Sequence, residues 1–103
     1  MWVMLNNSFL SIVENRNNKN ELLVRARIKG DIENIFNDVK TFEDEKADYK
    51  YRAYIQRDLV EKVIASQVVS INYANFKGSI SPDDEIRHSA YMRVWSEMYK
   101  VQA

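Results

Sequence analysis

Two kinds of hydrophobic period divide the chain. Leu22 to Ile28 alternates, with Leu22, Val24, Ala26 and Ile28 on one side and Leu23, Arg25 and Arg27 on the other, a second series that Lys29 continues. Ala47 to Gln56 repeats the pattern, setting Tyr49, Tyr51, Ala53 and Ile55 against Asp48, Lys50, Arg52, Tyr54 and Gln56. Successive side chains on a strand point to opposite faces, so each segment predicts a strand with one face covered. Two short β-prone runs, Trp2–Leu5 and Phe9–Val13, flank Asn6, Asn7 and Ser8. They predict a tight hairpin, because asparagine tolerates the positive φ such turns favour.

A helical period governs most of the remainder. Asp31 is expected to cap a short helix carrying Ile32, Ile35 and Phe36, with Gly30 breaking the strand before it. Arg57 and Asp58 open a longer helix with Leu59, Val60, Val63, Ile64, Val68 and Ile71 on its inner side. The last helix has Ser81 as its expected N-cap, Pro82 at the first position and Asp83, Asp84 and Glu85 at the positive end of its dipole. Ile86, Ala90, Tyr91, Val94, Trp95, Met98 and Tyr99 then line up as one broad stripe, expected to be buried. Glu14–Asn20 is a polar loop, and Val39–Lys46 is a charged connection in which Thr41 and Phe42 add a little strand.

The order β-β-β-α-β-α-α predicts an α+β two-layer sandwich in one domain over residues 1–103: a mainly antiparallel four-stranded sheet with helices on one face. On this reading, removing the chain from Pro82 onward strips one side of the core and unfolds it.

Composition narrows the function. Without cysteine, disulfides, thiolate catalysis and thiolate metal sites are excluded. The apolar opening Met1–Leu5 is too short and lacks the basic flank of a secretion signal, and no apolar run reaches membrane-spanning length. A soluble, cytoplasmic protein with no membrane association is expected. Fifteen basic and fifteen acidic residues cancel, which argues against both a charge-driven DNA binder and an acidic DNA mimic. Bases lead from Arg16 to Lys29 and acids from Asp31 to Asp48, as neighbouring solvated segments that pair their charges would have it.

Three constellations carry candidate chemistry. Arg25, Arg27, Lys50, Arg52 and Tyr54 share a sheet face if their strands are neighbours; cations with an aromatic suit single-stranded nucleic acid. Against this, adjacent exposed aromatics are not expected there, and Asp48 lies on the same face. Tyr73, Asn75, Phe76, Lys77, Arg87, His88 and Tyr91 form a second, binding, candidate around the turn before the last helix. There Arg and Lys would hold an anion and His88 would supply a proton near neutral pH. The structural expectation for the same group is that His88 bonds a backbone carbonyl in the turn and Arg87 pairs with Asp83 or Asp84. Glu43–Glu45 with Asp48 is an acidic stretch without calcium-loop spacing. Phosphate-loop, dinucleotide, zinc and nucleophile-elbow motifs are absent, so neither cofactor, metal nor catalytic residue is assigned.

The blocks FLSIV (Phe9–Val13), LLVRAR with GD (Leu22–Arg27, Gly30–Asp31), ADYKYRA (Ala47–Ala53), INYANFK (Ile71–Lys77) and RHSAYMRVW (Arg87–Trp95) resemble a small bacterial and phage-borne family of uncharacterised proteins. The resemblance implies a compact protein of bacterial or phage type and no activity. Together these features lead to a non-enzymatic binding or regulatory protein acting through a surface on a protein partner. With the resemblance, inhibition of a bacterial defence system in the manner of an anti-CRISPR protein is the expected use. A nucleic-acid or nucleotide binder using the basic sheet face is the alternative, and a small hydrolase or nuclease centred on His88 the third reading.

Overall fold

The alternating segments form the centre of the sheet. In the structure, a computed structural model that describes residues 1–102, the strands are β1 (Trp2–Leu5), β2 (Ser8–Glu14), β3 (Glu21–Ala26), β4 (Phe42–Glu43) and β5 (Tyr51–Gln56). The helices are α1 (Asp31–Ile35), α2 (Arg57–Val69) and α3 (Glu85–Val101), with a 3₁₀ turn at Lys77–Ser79. The sheet runs β1-β2-β3-β5-β4 and every pairing is antiparallel. The α+β fold is as expected, but the sheet has five strands rather than four, because Phe42 and Glu43 pair with Arg52 and Tyr51.

By its contacts the chain divides into two compact units, Met1–Ile71 and the segment from Asn72 onward. In the first, Leu10, Ile12, Val24, Ala26, Ala53 and Ile55 on one sheet face meet Ile32, Ile35 and Phe36 of the α1 region and Val60 of α2. Each large side chain removed from water here contributes roughly 1.5–3 kcal/mol. Ile28 is not part of this layer: β3 ends at Ala26, the chain bends toward Gly30 at φ 96°, and Ile28 is left exposed. On α2 the inward stripe is narrower than expected. Val60, Val63, Ile64 and Gln67 face inward at helical spacing, while Leu59, Val68 and Ile71 are exposed.

Asp31 does more than begin α1. It is buried, its Oδ2 accepts the Phe9 N–H at 2.9 Å and its carbonyl accepts the Ser8 hydroxyl at 2.8 Å. The N-cap position belongs to Gly30, and Asp31 ties the helix to the β1–β2 hairpin instead. That hairpin turns at Asn6–Asn7 without positive φ, so asparagine's tolerance of it is not what makes the turn.

In the second unit α3 begins three residues later than expected. Asp84, not Ser81, is the N-cap; its carboxylate accepts the Arg87 N–H and also binds the Arg87 side chain, a double hold that serine cannot offer. The expected buried stripe is instead largely open. Ile86, Val94, Trp95, Met98 and Tyr99 are exposed, whereas Tyr91 and Arg87 are buried. Within its own unit α3 has only the preceding turn to pack on, and that turn reaches Tyr91 and Trp95.

Candidate functional site

Register assembles the site. Trp2 pairs with Ser11, Ser11 with Arg25, Arg25 with Arg52 and Arg52 with Phe42, one row crossing all five strands. Directly opposed residues share a face. Val24 and Ala26 point to the core, so this row lies on the other side of the sheet. The next row is Val13–Leu23–Tyr54, and Met4–Phe9 flanks the first row on the opposite side. Trp2, Phe42 and Tyr54 are 72%, 40% and 50% exposed, which leaves aromatic surface at both margins. Phe42 stacks on Tyr54 at 5.6 Å between centroids, and Trp2 meets Phe9 edge-on at 5.9 Å. Adjacent exposed aromatics, not expected from the sequence, are therefore present.

Between the margins lie guanidinium groups. Arg25 donates to the Ser11 hydroxyl at 2.6 Å and its guanidinium lies 4.7 Å from the centre of the Tyr49 ring. Arg27 approaches the same ring at 4.2 Å and donates to the Asp48 carbonyl at 2.8 Å. Arg52 donates to the Tyr49 carbonyl at 3.4 Å. Tyr49 is buried yet stands outside the core cluster, enclosed by these arginines, which corrects its expected place beside Tyr51 and Ala53. Residues 47–49 bend before β5 begins, so the alternation does not extend back to Tyr49. Arg25 Nε is buried with no hydrogen-bond partner among the described residues, and the cation–π contact offsets part of that loss.

Of the expected basic set, Arg25, Arg52 and Tyr54 share the outer rows, and Arg27 joins them through Tyr49. Lys50 is engaged by Glu45 at 3.0 Å, whose hydrogen bond and charge raise the ammonium above its ordinary pKa. Asp48 is exposed and its carboxylate accepts the Tyr49 N–H.

The second candidate set is internally engaged. Tyr73 meets Phe76 edge-on, Phe76 stacks on Tyr91 at 5.7 Å, and Lys77 lies 4.1 Å from the centre of the Trp95 ring. Asn75 Oδ1 accepts the Gly78 N–H and so holds the 3₁₀ turn. Arg87 pairs with Asp84 at 2.7 Å, as one of the two expected partners, and donates to the Tyr91 hydroxyl at 3.3 Å. The Arg87 hydrogen bond holds the Asp84 carboxyl below the usual carboxylate range. His88 is exposed, and its ring bonds none of the turn's carbonyls, contrary to expectation. It borders a shallow depression of about 260 Å³ with Ser81 and Glu85. None of these three side chains hydrogen-bonds another, so the nucleophile–base–orienter chain of an activated hydroxyl is not assembled.

Among the described residues no three His, Cys, Asp or Glu gather as a metal site, and no helix is long and apolar enough to cross a membrane. Phe42 and Trp2 are the site residues that sequence reasoning missed; their β-prone surroundings were visible, but only register places them in line with Arg25 and Arg52. Comparison of the chain with protein families, curated proteins and solved structures finds no match.

Proposed function

We propose that the protein is a non-enzymatic binding module that holds a protein partner on the outer face of its sheet. One observation carries this reading: the Trp2–Ser11–Arg25–Arg52–Phe42 row, with exposed aromatics at both ends and pre-positioned guanidinium groups between them. Trp, Tyr and Arg dominate the energetics of protein interfaces. Arginines already held by Ser11 and Tyr49 lose less freedom when a partner arrives. Acidic and basic residues balance both within residues 1–71 and in the remainder, which favours a protein over a polyanion. Following the resemblance, the partner is a component of a bacterial defence system, inhibited by occlusion.

The Phe42–Tyr54 stack beside Arg52 favours one second reading, single-stranded nucleic acid with bases stacked on that pair. Affinity capture from bacterial lysate with matched variants separates the two. A protein held by the unmodified chain and by Trp95→Ala/Tyr99→Ala, but released by Phe42→Ala/Tyr54→Ala, supports the first reading. Retention by the Phe42→Ala/Tyr54→Ala variant refutes it. Salt-sensitive binding of a labelled oligopyrimidine that Arg52→Ala abolishes would establish the second.

A further inference from the structure

The two edges of the sheet are unlike. β4 is two residues long and continues from Glu43 into Asp44 and Glu45, a short charged edge of the kind that resists pairing. β1 is twice as long, with no charge, proline or glycine over Trp2–Leu5. Its hydrogen-bond phase follows from Met1, whose ammonium donates to the Ile12 carbonyl and whose carbonyl accepts the Ile12 N–H, each at 2.8 Å. Met1–Ile12 is thus a bonded pair, and alternation makes Val3–Leu10 and Leu5–Ser8 bonded pairs too, with Trp2–Ser11 and Met4–Phe9 non-bonded. The backbone N–H and C=O groups of Trp2 and Met4 therefore point off the sheet. None of them has a hydrogen-bond partner among the described residues.

We infer that β1 pairs, edge to edge and antiparallel, with β1 of a second copy about a two-fold axis at Val3. The open backbone groups set the register: Trp2 of one copy lies opposite Met4 of the other and exchanges both N–H···O bonds with it, and the symmetry repeats the exchange. The side chains agree with that register. Trp2 and Met4 both lie on the outer face, so each indole meets a thioether from the other copy, a favourable pairing of sulfur with an aromatic ring. Val3, which packs against the core cluster, meets its symmetry mate at the axis on the inner face. β1 brings no charged side chain to the junction, and a net charge of zero leaves no long-range repulsion between copies. The inference rests on the backbone of the edge and does not depend on what binds the outer face.

Sedimentation or light scattering of the full chain should show a mass rising with concentration from 12.2 kDa toward twice that value. Met4→Pro removes only an outward N–H, a change an edge strand tolerates, and should leave a folded monomer. In the unmodified protein the Trp2 and Met4 amides should exchange slowly in concentrated solution and fast in dilute solution. This measurement decides the matter even where Met4→Pro fails to fold. A monomer at every concentration would overturn the inference. So would a Met4→Pro dimer, held then by another surface such as the exposed α3 stripe, or fast exchange at Trp2 and Met4 throughout.

Discussion

Asp84 supports α3 in two separable ways, and substituting it distinguishes them. Oδ1 accepts the Arg87 N–H at 3.2 Å and Oδ2 accepts Arg87 Nε at 2.7 Å. Losing an N-cap costs about 0.5–2 kcal/mol. A hydrogen bond to a charged group contributes about 1.5–3 kcal/mol, but the Asp84 side chain is 36% exposed and solvent screens it, so about 1 kcal/mol is the appropriate share. Asp84→Ala should therefore lose roughly 2 kcal/mol, and Asp84→Asn, which keeps a good cap, roughly 1 kcal/mol. The carboxyl is held below its ordinary value of 3.8 by the Arg87 hydrogen bond. Folding therefore favours the charged form, and the stability from the pair is fully present above the unfolded value. It is lost as the pH falls through the folded one. The gap between the natural chain and Asp84→Asn should close in strong acid, while the cap's share of the Asp84→Ala deficit remains. Denaturant melts followed by the helical circular-dichroism signal, with amide exchange at Arg87 and His88, measure both. Equal losses for the Asn and Ala variants at neutral pH, or a gap independent of pH, would refute this account.

Asp31→Ala should lose about 1–3 kcal/mol, since it leaves the half-buried Phe9 N–H without its carboxylate acceptor; thermal melts and exchange at Phe9 check it. Tyr49→Leu keeps an apolar side chain but removes the ring between Arg25 and Arg27, so a fall of about 1 kcal/mol and faster amide exchange at Arg52 are expected. A chain ending at Ile71 should keep a cooperative melt, because every buried member of the core cluster comes from residues 10–60; an unfolded product would show that the core needs α3.

The sheet's interior was legible because alternation over Leu22–Ala26 and Tyr51–Ile55 reports burial directly. The same rule misplaced Ile28 and Tyr49, which lie just beyond the ends of regular strand, where one bend removes the parity on which it depends. The pairing of Arg25 with Arg52 was anticipated as a shared face, whereas Trp2 and Phe42 were not, since a sequence shows which residues suit a strand and not which row they join. On α3 the spacing identified an amphipathic helix correctly. Amphipathicity does not state what covers the apolar side, and here Val94, Trp95 and Met98 remain exposed. At its start Ser81 and Asp84 both have the chemistry of a cap, and Arg87, three residues after Asp84, decides between them.

The inequality of the sheet's edges also sets a limit on growth. An assembly that adds strands at only one end cannot lengthen into a fibre, since each addition would require the acceptor edge that the previous one has consumed. With β4 short and flanked by acids, two copies joined at β1 would present only those charged margins outward. As far as strand pairing goes, such a pair is a closed object: it offers a third copy no unprotected edge, whatever the concentration.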